Sequence, residues 1–264
     1  MIAIENGTQY FHRGSVNKVL ALDNIALHIE EGEFVTVIGS NGAGKSTLLN
    51  AIAGSCFLDT GSIRINETDV TRWPEYKRAR LISRVFQDPL MGTCPSATIE
   101  QNMALACKRG QRRGLGIGVK AKDRVLFRQQ LQKLELGLEN RLIDKAGLLS
   151  GGQRQALTML MAAMVRPEVM LLDEHIAALD PKTANQILSL TVKIVESQKL
   201  TTLMITHNMK QAIALGNRLI MLHQGKLIFD IRGEEKRRLT VNDLLDKFYT
   251  TQREYLSADS LLLT

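Results

Sequence analysis

The stretch GSNGAGKST, residues 39–47, follows directly on the apolar run FVTVI at 34–38 and constrains the fold more than any other feature of the chain. It meets the pattern G-x-x-x-x-G-K-[ST] through Gly39, Gly44, Lys45 and Ser46. A glycine-rich loop between a strand and a helix turns backbone N–H groups inward, and the helix N-terminus adds free donors and the positive end of its dipole. Gly39, Ser40, Asn41, Gly42, Ala43, Gly44, Lys45, Ser46 and Thr47 therefore read as a phosphate cradle. Lys45 would reach the β- and γ-phosphates of a nucleotide, and the Ser46 hydroxyl would sit on Mg²⁺. TLLNAIA at 47–53 has a helical pattern, with Gly54 as a natural stop.

Apolar runs of the same kind recur at 81–86, 169–172, 202–205 and 219–222, with helical patterns between them. Continuous runs suit strands buried on both faces of a mostly parallel sheet. Upstream of the loop, residues 21–33 and the region around Tyr10 read as antiparallel strands joined by a polar turn. From about 89 to 166 strand signals give way to helical ones. Residues 99–107 and 122–136 are amphipathic and proline-free, with a glycine-rich link at 110–118 between them. The spacing predicts an α/β fold with an antiparallel β subdomain and a helical subdomain inserted into a nucleotide-binding core. One domain over 1–230 is expected, with a short helical tail over 231–264, where TVND at 240–243 resembles a helix start.

At 264 residues, 44% apolar and 23% charged, the chain can bury one large core. No apolar run approaches the roughly 20 residues that span a bilayer, and MIAIENGTQY has no basic-then-apolar leader. A soluble, cytosolic chain is expected. The net charge of +7 would suit nucleic acid or an anionic membrane surface, but aromatics are only 5% and the basic clusters, KRGQRR at 108–113 and KRR at 236–238, are short. Those clusters read as solvated or membrane-proximal faces, and no nucleic acid is expected as a partner. Cys56, Cys94 and Cys107 are an odd set without C-x-x-C spacing and read as reduced bystanders.

Two further stretches carry chemistry. VMLLDE at 169–174 is four apolar residues ending in two carboxylates. On a strand ending beside the phosphate loop, Asp173 would hold Mg²⁺ through water and Glu174 would polarise an attacking water. LSGGQ at 149–153 precedes an apolar-periodic helix over 154–165. Ser150, Gly151, Gly152 and Gln153, opening that helix, make a second anion site. One nucleotide needs only one phosphate loop, so the second grip points to a nucleotide held by a partner.

LSGGQ between a phosphate loop and an acidic strand end resembles the signature sequence of ABC-type ATPases, a family with a P-loop NTPase core. The resemblance covers roughly residues 2–230. It implies that Gln87, in VFQD, is similar to the Q-loop glutamine that contacts Mg²⁺ and the attacking water and relays to a transmembrane partner. Asp180, in ALD, resembles the D-loop residue at the dimer interface, and His207, in ITH, resembles the switch histidine that senses the γ-phosphate. Phe11, or else Tyr10, falls where the family stacks an aromatic on adenine. One departure is His175, where the family has Pro or a small polar residue. Both carboxylates survive it, and the expectation is that His175 could shift the titration of Glu174.

The family's logic implies two copies facing head to tail, each ATP held between one chain's phosphate loop and the other's Ser150 to Gln153. The pair would drive import through separate permease subunits docked near Gln87 and the helical subdomain, at the cytoplasmic face of the membrane. Leu90 and Met91 read equally as docking or core residues. VFQDP with Gly92-Thr93, LSGGQRQALT and DEHIAALD are similar to ATPases of amino-acid uptake systems, tryptophan or tyrosine among them, in which an extracytoplasmic binding protein supplies the cargo. The alternative is a soluble ABC protein of translation or DNA repair. Those members carry two cassettes, or a coiled-coil or zinc insertion, and this chain has neither.

Overall fold

The computed structural model describes residues 1–250 apart from 112, 113 and 115, so part of the glycine-rich link and the end of the expected tail, 251–264, lie outside the described residues. Its centre is a six-stranded sheet. The strands are β3 (Phe34–Gly39), β6 (Ile82–Val85), β7 (Val169–Asp173), β8 (Thr201–Ile205), β9 (Arg218–His223) and β10 (Lys226–Arg232), in the order β10-β9-β3-β8-β7-β6. All neighbours pair in parallel except β10, which is antiparallel to β9. The apolar runs explain this: Val35, Val37, Leu171, Leu203 and Ile220 are completely buried, as a parallel sheet covered on both faces demands. β10 was not anticipated, because only Ile231 of its residues is buried and its apolar run, Leu227 to Phe229, is three residues long and half-buried.

A second sheet of four antiparallel strands, β2-β1-β4-β5, is built from β1 (Ile2–Phe11), β2 (Val19–Ile29), β4 (Thr60–Ile65) and β5 (Thr68–Asp69). β2 stops four residues short of the expected Glu33, because Gly32 takes φ 76° and turns the chain into β3. Between the sheets lies α1 (Lys45–Ala53), whose Leu48, Leu49 and Ile52 are at most 1% exposed. Burial of each such side chain contributes roughly 2 kcal/mol. The short α2 (Glu75–Arg78) closes this layer: the buried Arg78 guanidinium donates to the Ala51 and Ile52 carbonyls at 2.6 and 2.8 Å, capping the C-terminus of α1.

The helical segment comprises α3 (Ile99–Cys107), α4 (Ala121–Gln132) and α5 (Gly151–Met164), with a core of its own that includes Ile99, Met103, Phe127, Leu131 and Leu157. Thr98 and Gln101 form a reciprocal cap on α3. α4 ends before the expected Leu136, broken where Glu135 and Gly137 adopt φ 55° and 71°. α5 starts three residues earlier than its apolar pattern, so both signature glycines belong to its first turn. Leu90 and Met91 are exposed rather than core residues.

Three further helices follow: α6 (Pro181–Gln198), α7 (Met209–Ala214) and α8 (Gly233–Arg238). Residues 241–250 are also helical and bury Leu244 against Ile38, Leu219 and Met221. The basic run at 236–238 is not wholly a solvated face. Lys236 is 2% exposed and donates to the Leu215 and Gly216 carbonyls, and burial lowers its pKa to about 8. Arg109, from the other basic run, likewise turns inward onto the Ala162 carbonyl at 3.1 Å.

Candidate functional site

Parallel pairing brings the ends of β3, β7 and β8 to one edge of the sheet, where ligands of open α/β sheets bind. Gly44 opens α1 at φ 99°, and a Cβ there would lie 2.4 Å from the Ala21 carbonyl oxygen. Only glycine fits so close an approach. No side chain caps α1 and no acid occupies its first turn, which leaves its N–H groups and dipole to an anion. Lys45 is 6% exposed and donates to the Gly39 and Ser40 carbonyls at 2.8 and 2.9 Å. Burial lowers its pKa, against the attraction of Glu174 and Asp173.

A cleft of about 300 Å³ runs along this edge, lined by Phe11, Val19, Ala21, the loop and helix start from Asn41 to Thr47, Glu174 and His207. Phe11 thus faces the same space as the phosphate loop. Tyr10 is not in that lining; Lys18 lies 4.2 Å from its ring centroid and Arg13 5.2 Å. Glu174 takes φ 47°, and its carboxylate meets His207 Nε2 at 2.5 Å. Asp173 accepts from Arg84 Nη2 at 2.7 Å, while Nη1 of the same guanidinium donates to Asn50 at 2.7 Å. Arg84 was missed in the sequence, although a cation between the buried Ser83 and Val85 of β6 was a visible signal.

The oxygen donors Ser46, Gln87 and Asp173 have the hard chemistry that suits Mg²⁺, which is bound through one or two carboxylates plus phosphates. Lys45 and Asp173 lie near enough to interact electrostatically, so a metal shared with a phosphate fits this donor set. Gln87 is exposed just past β6 and is not in the lining of the cleft.

Ser150, Gly151, Gly152 and Gln153 lie outside that cleft as well. Ser150 Oγ accepts from the Gln153 N–H and Gln153 Oε1 from the Ser150 N–H, both at 3.2 Å, so α5 caps itself. Its start packs on α6 and on the turn before it, with Gly152 against Thr183 and Gly151 beside Leu179. Asp180 caps α6 by accepting from the Thr183 N–H at 3.1 Å, and its bonding to Thr183 lowers its pKa.

His175 does not present a charge to Glu174. Its ring is buried and its Nε2 lies 3.0 Å from Thr191 Oγ1; the Thr191 hydroxyl itself donates to the Ile187 carbonyl, so Nε2 carries the proton. Burial lowers the pKa of the ring to about 4, leaving it neutral at ordinary pH.

The description "ABC transporter" belongs to the family model that matches residues 22–177. The chain is 46% identical over 248 residues to a tyrosine transport ATP-binding protein of Clostridioides difficile (strain R20291), covering 94% of this chain and 98% of that protein. It is 33% identical over 204 residues to the thiamine import ATP-binding protein ThiQ of Yersinia pseudotuberculosis serotype I, over 77% and 81% of the two chains. Its fold is similar to a dimeric ATP-binding cassette in a post-hydrolysis state bound to ADP and Pi, with a TM-score of 0.74, 30% identity and coverage of 88% of this chain and 98% of that one.

Proposed function

The chain belongs to the ABC transporter family as an ATP-hydrolysing subunit, and from that premise we propose that it works as a pair of identical chains driving amino-acid import, with tyrosine and tryptophan the cargoes to test first. The pair sits at the cytoplasmic face of the membrane beneath separate permease subunits, and an extracytoplasmic binding protein delivers the cargo. The name of the thiamine import relative supports import, that of the tyrosine transport relative supports an amino-acid cargo, and the dimeric cassette supports pairing.

The observation that carries this reading is the separation of the two phosphate grips. Phe11, the loop from Asn41 to Thr47, Glu174 and His207 share one cleft, whereas Ser150 to Gln153 are exposed or half-buried outside it. In the proposed pair, Gly39 to Thr47 hold the phosphates and Phe11 stacks on the adenine. Ser46, Gln87 and Asp173 would hold Mg²⁺, which would supply positive charge to the phosphates. Glu174 polarises the attacking water, and His207, already at its carboxylate, senses the γ-phosphate. Ser150, Gly151, Gly152, Gln153 and Asp180 act across the interface on the other chain's ATP. Hydrolysis removes the shared γ-phosphate grip, and the pair reopens.

The test is the mass of Glu174→Gln in solution. With saturating Mg-ATP the variant is expected to double in mass and to return to monomer when nucleotide is removed. A monomer under both conditions would remove the main support for pairing. Tyrosine uptake by vesicles containing the co-purified permease tests the cargo, and uptake of unrelated solutes alone would refute the amino-acid assignment.

A further inference from the structure

Gln155 is completely buried on α5, two residues beyond Gln153. Its one side-chain NH₂ group donates to two backbone carbonyls, that of Phe86 at 3.1 Å and that of His175 at 2.6 Å. Phe86 immediately precedes Gln87, and His175 immediately follows Glu174. A single amide therefore holds the backbone beside both Glu174, to which the proposed function assigns the attacking water, and Gln87, to which it assigns Mg²⁺.

The surroundings make that amide more than packing. Glu174 sits at φ 47°, a conformation a non-glycine residue keeps only when its neighbours hold it. The turn is anchored twice, to α5 through the His175 carbonyl and to α6 through the His175 ring on Thr191. The segment after Gln87 also rests on α5: a Cβ on Gly92 would lie 2.3 Å from Thr158 Cγ2, and Thr158 is three residues from Gln155 on the same face. Leaving a buried carbonyl without its donor is costly, so movement of the first turns of α5 carries both backbone segments with it.

We propose that Gln155 is a positioning residue that ties the grip on the partner's nucleotide to Gln87 and Glu174 of its own site, so that the two ATP sites of a pair act together. This rests on the paired reading above. When the partner's ATP engages Ser150 to Gln153, the displacement of α5 is transmitted through the Gln155 amide to the backbone flanking both groups. Coupling of this kind is reciprocal between the sites for binding.

The experiment compares Gln155→Met, which fills similar volume without a donor, with wild type and with Thr158→Val as a packing control. The kcat of Gln155→Met is expected to fall by about tenfold to a hundredfold, with the affinity of the isolated chain for a fluorescent ATP analogue unchanged. The Hill coefficient for ATP hydrolysis is expected to drop to about 1, from a wild-type value between 1 and 2. Thr158→Val should keep wild-type kcat and cooperativity. The proposal is overturned if Gln155→Met retains wild-type cooperativity, or if Thr158→Val falls equally, since packing alone would then explain the loss. Should Gln155→Met not fold, Gln155→Asn, whose amide is one methylene short, carries the same expectations. Glu174→Gln is measured alongside: if it stays monomeric with Mg-ATP, the paired reading fails and takes the coupling with it. If it dimerises while Gln155→Met stays cooperative, only the coupling fails.

Discussion

The chain begins two helices with glycine-rich turns, and they are built in opposite ways. At α1 the N-terminal residue is a glycine in a left-handed conformation, no side chain satisfies the free N–H groups, and a buried lysine rests on the loop carbonyls. At α5 the start is closed by its own Ser150 and Gln153, and the surrounding surface is exposed or half-buried. The first leaves its N–H groups open to a strongly charged ligand. The second satisfies part of its own donors, and on the proposed reading it adds to a grip assembled by the other chain. The difference teaches that two anion motifs in one sequence need not share one ligand within one chain.

Four variants bear on that contrast. Lys45→Met should lower ATP affinity by about a hundredfold or more, roughly 3 kcal/mol, measured by equilibrium dialysis, because the charge that the proposed function assigns to the phosphates is gone. Retained affinity would break the assignment of α1 as the primary grip.

His175 lies at the turn held by both α5 and α6, and its buried neutral ring links stability to pH. Its folded pKa of about 4 lies below the ordinary value of 6.5, so the unfolded chain takes up the proton first as pH falls. Its contribution is therefore intact above pH 6.5 and is lost as pH drops toward 4, by up to about 3 kcal/mol. Urea midpoints for wild type and His175→Gln should converge on acidification; parallel curves would show that the ring ionises freely.

Gly44→Ala should destabilise the fold by about 2 kcal/mol through strain at the left-handed position, visible as a lower urea midpoint with impaired nucleotide binding. Ser150→Ala has the smallest expected effect, about 1 kcal/mol from the lost cap. ATP binding by the isolated chain should not change in that variant, and a large loss of monomer affinity would erase the distinction between the two helix starts.

Much of the fold was legible because it is written in patterns that burial enforces. The runs at 34–38, 169–172, 202–205 and 219–222 became β3, β7, β8 and β9, since a strand covered on both faces must be apolar throughout. β10 escaped notice because an edge strand that buries only Ile231 has no such requirement. Lys236 looked like part of a solvated run until tertiary packing brought the Leu215 and Gly216 carbonyls to its ammonium. At the site, motif spacing pointed to the cleft that holds Phe11, Lys45, Glu174 and His207 together. Arg84 on Asp173 and Gln155 between two loops are contacts 89 and 69 residues apart or folded across helices, and no local pattern encodes them.

The central claim, that a working site takes its phosphate loop from one chain and its second grip from another, is tested most directly by mixing two defective variants. Lys45→Met lacks the first grip. Gly151→Asp leaves the first grip intact and places a negative charge at the second, where a Cβ has ordinary room, its nearest neighbour being Leu179 at 3.6 Å. Each alone should hydrolyse almost no ATP. Mixed in equal amounts, half of the pairs are mixed and each of those holds one intact composite site, so about a quarter of the wild-type rate should return if the sites fire singly. A mixture no faster than the average of its two components would contradict the account.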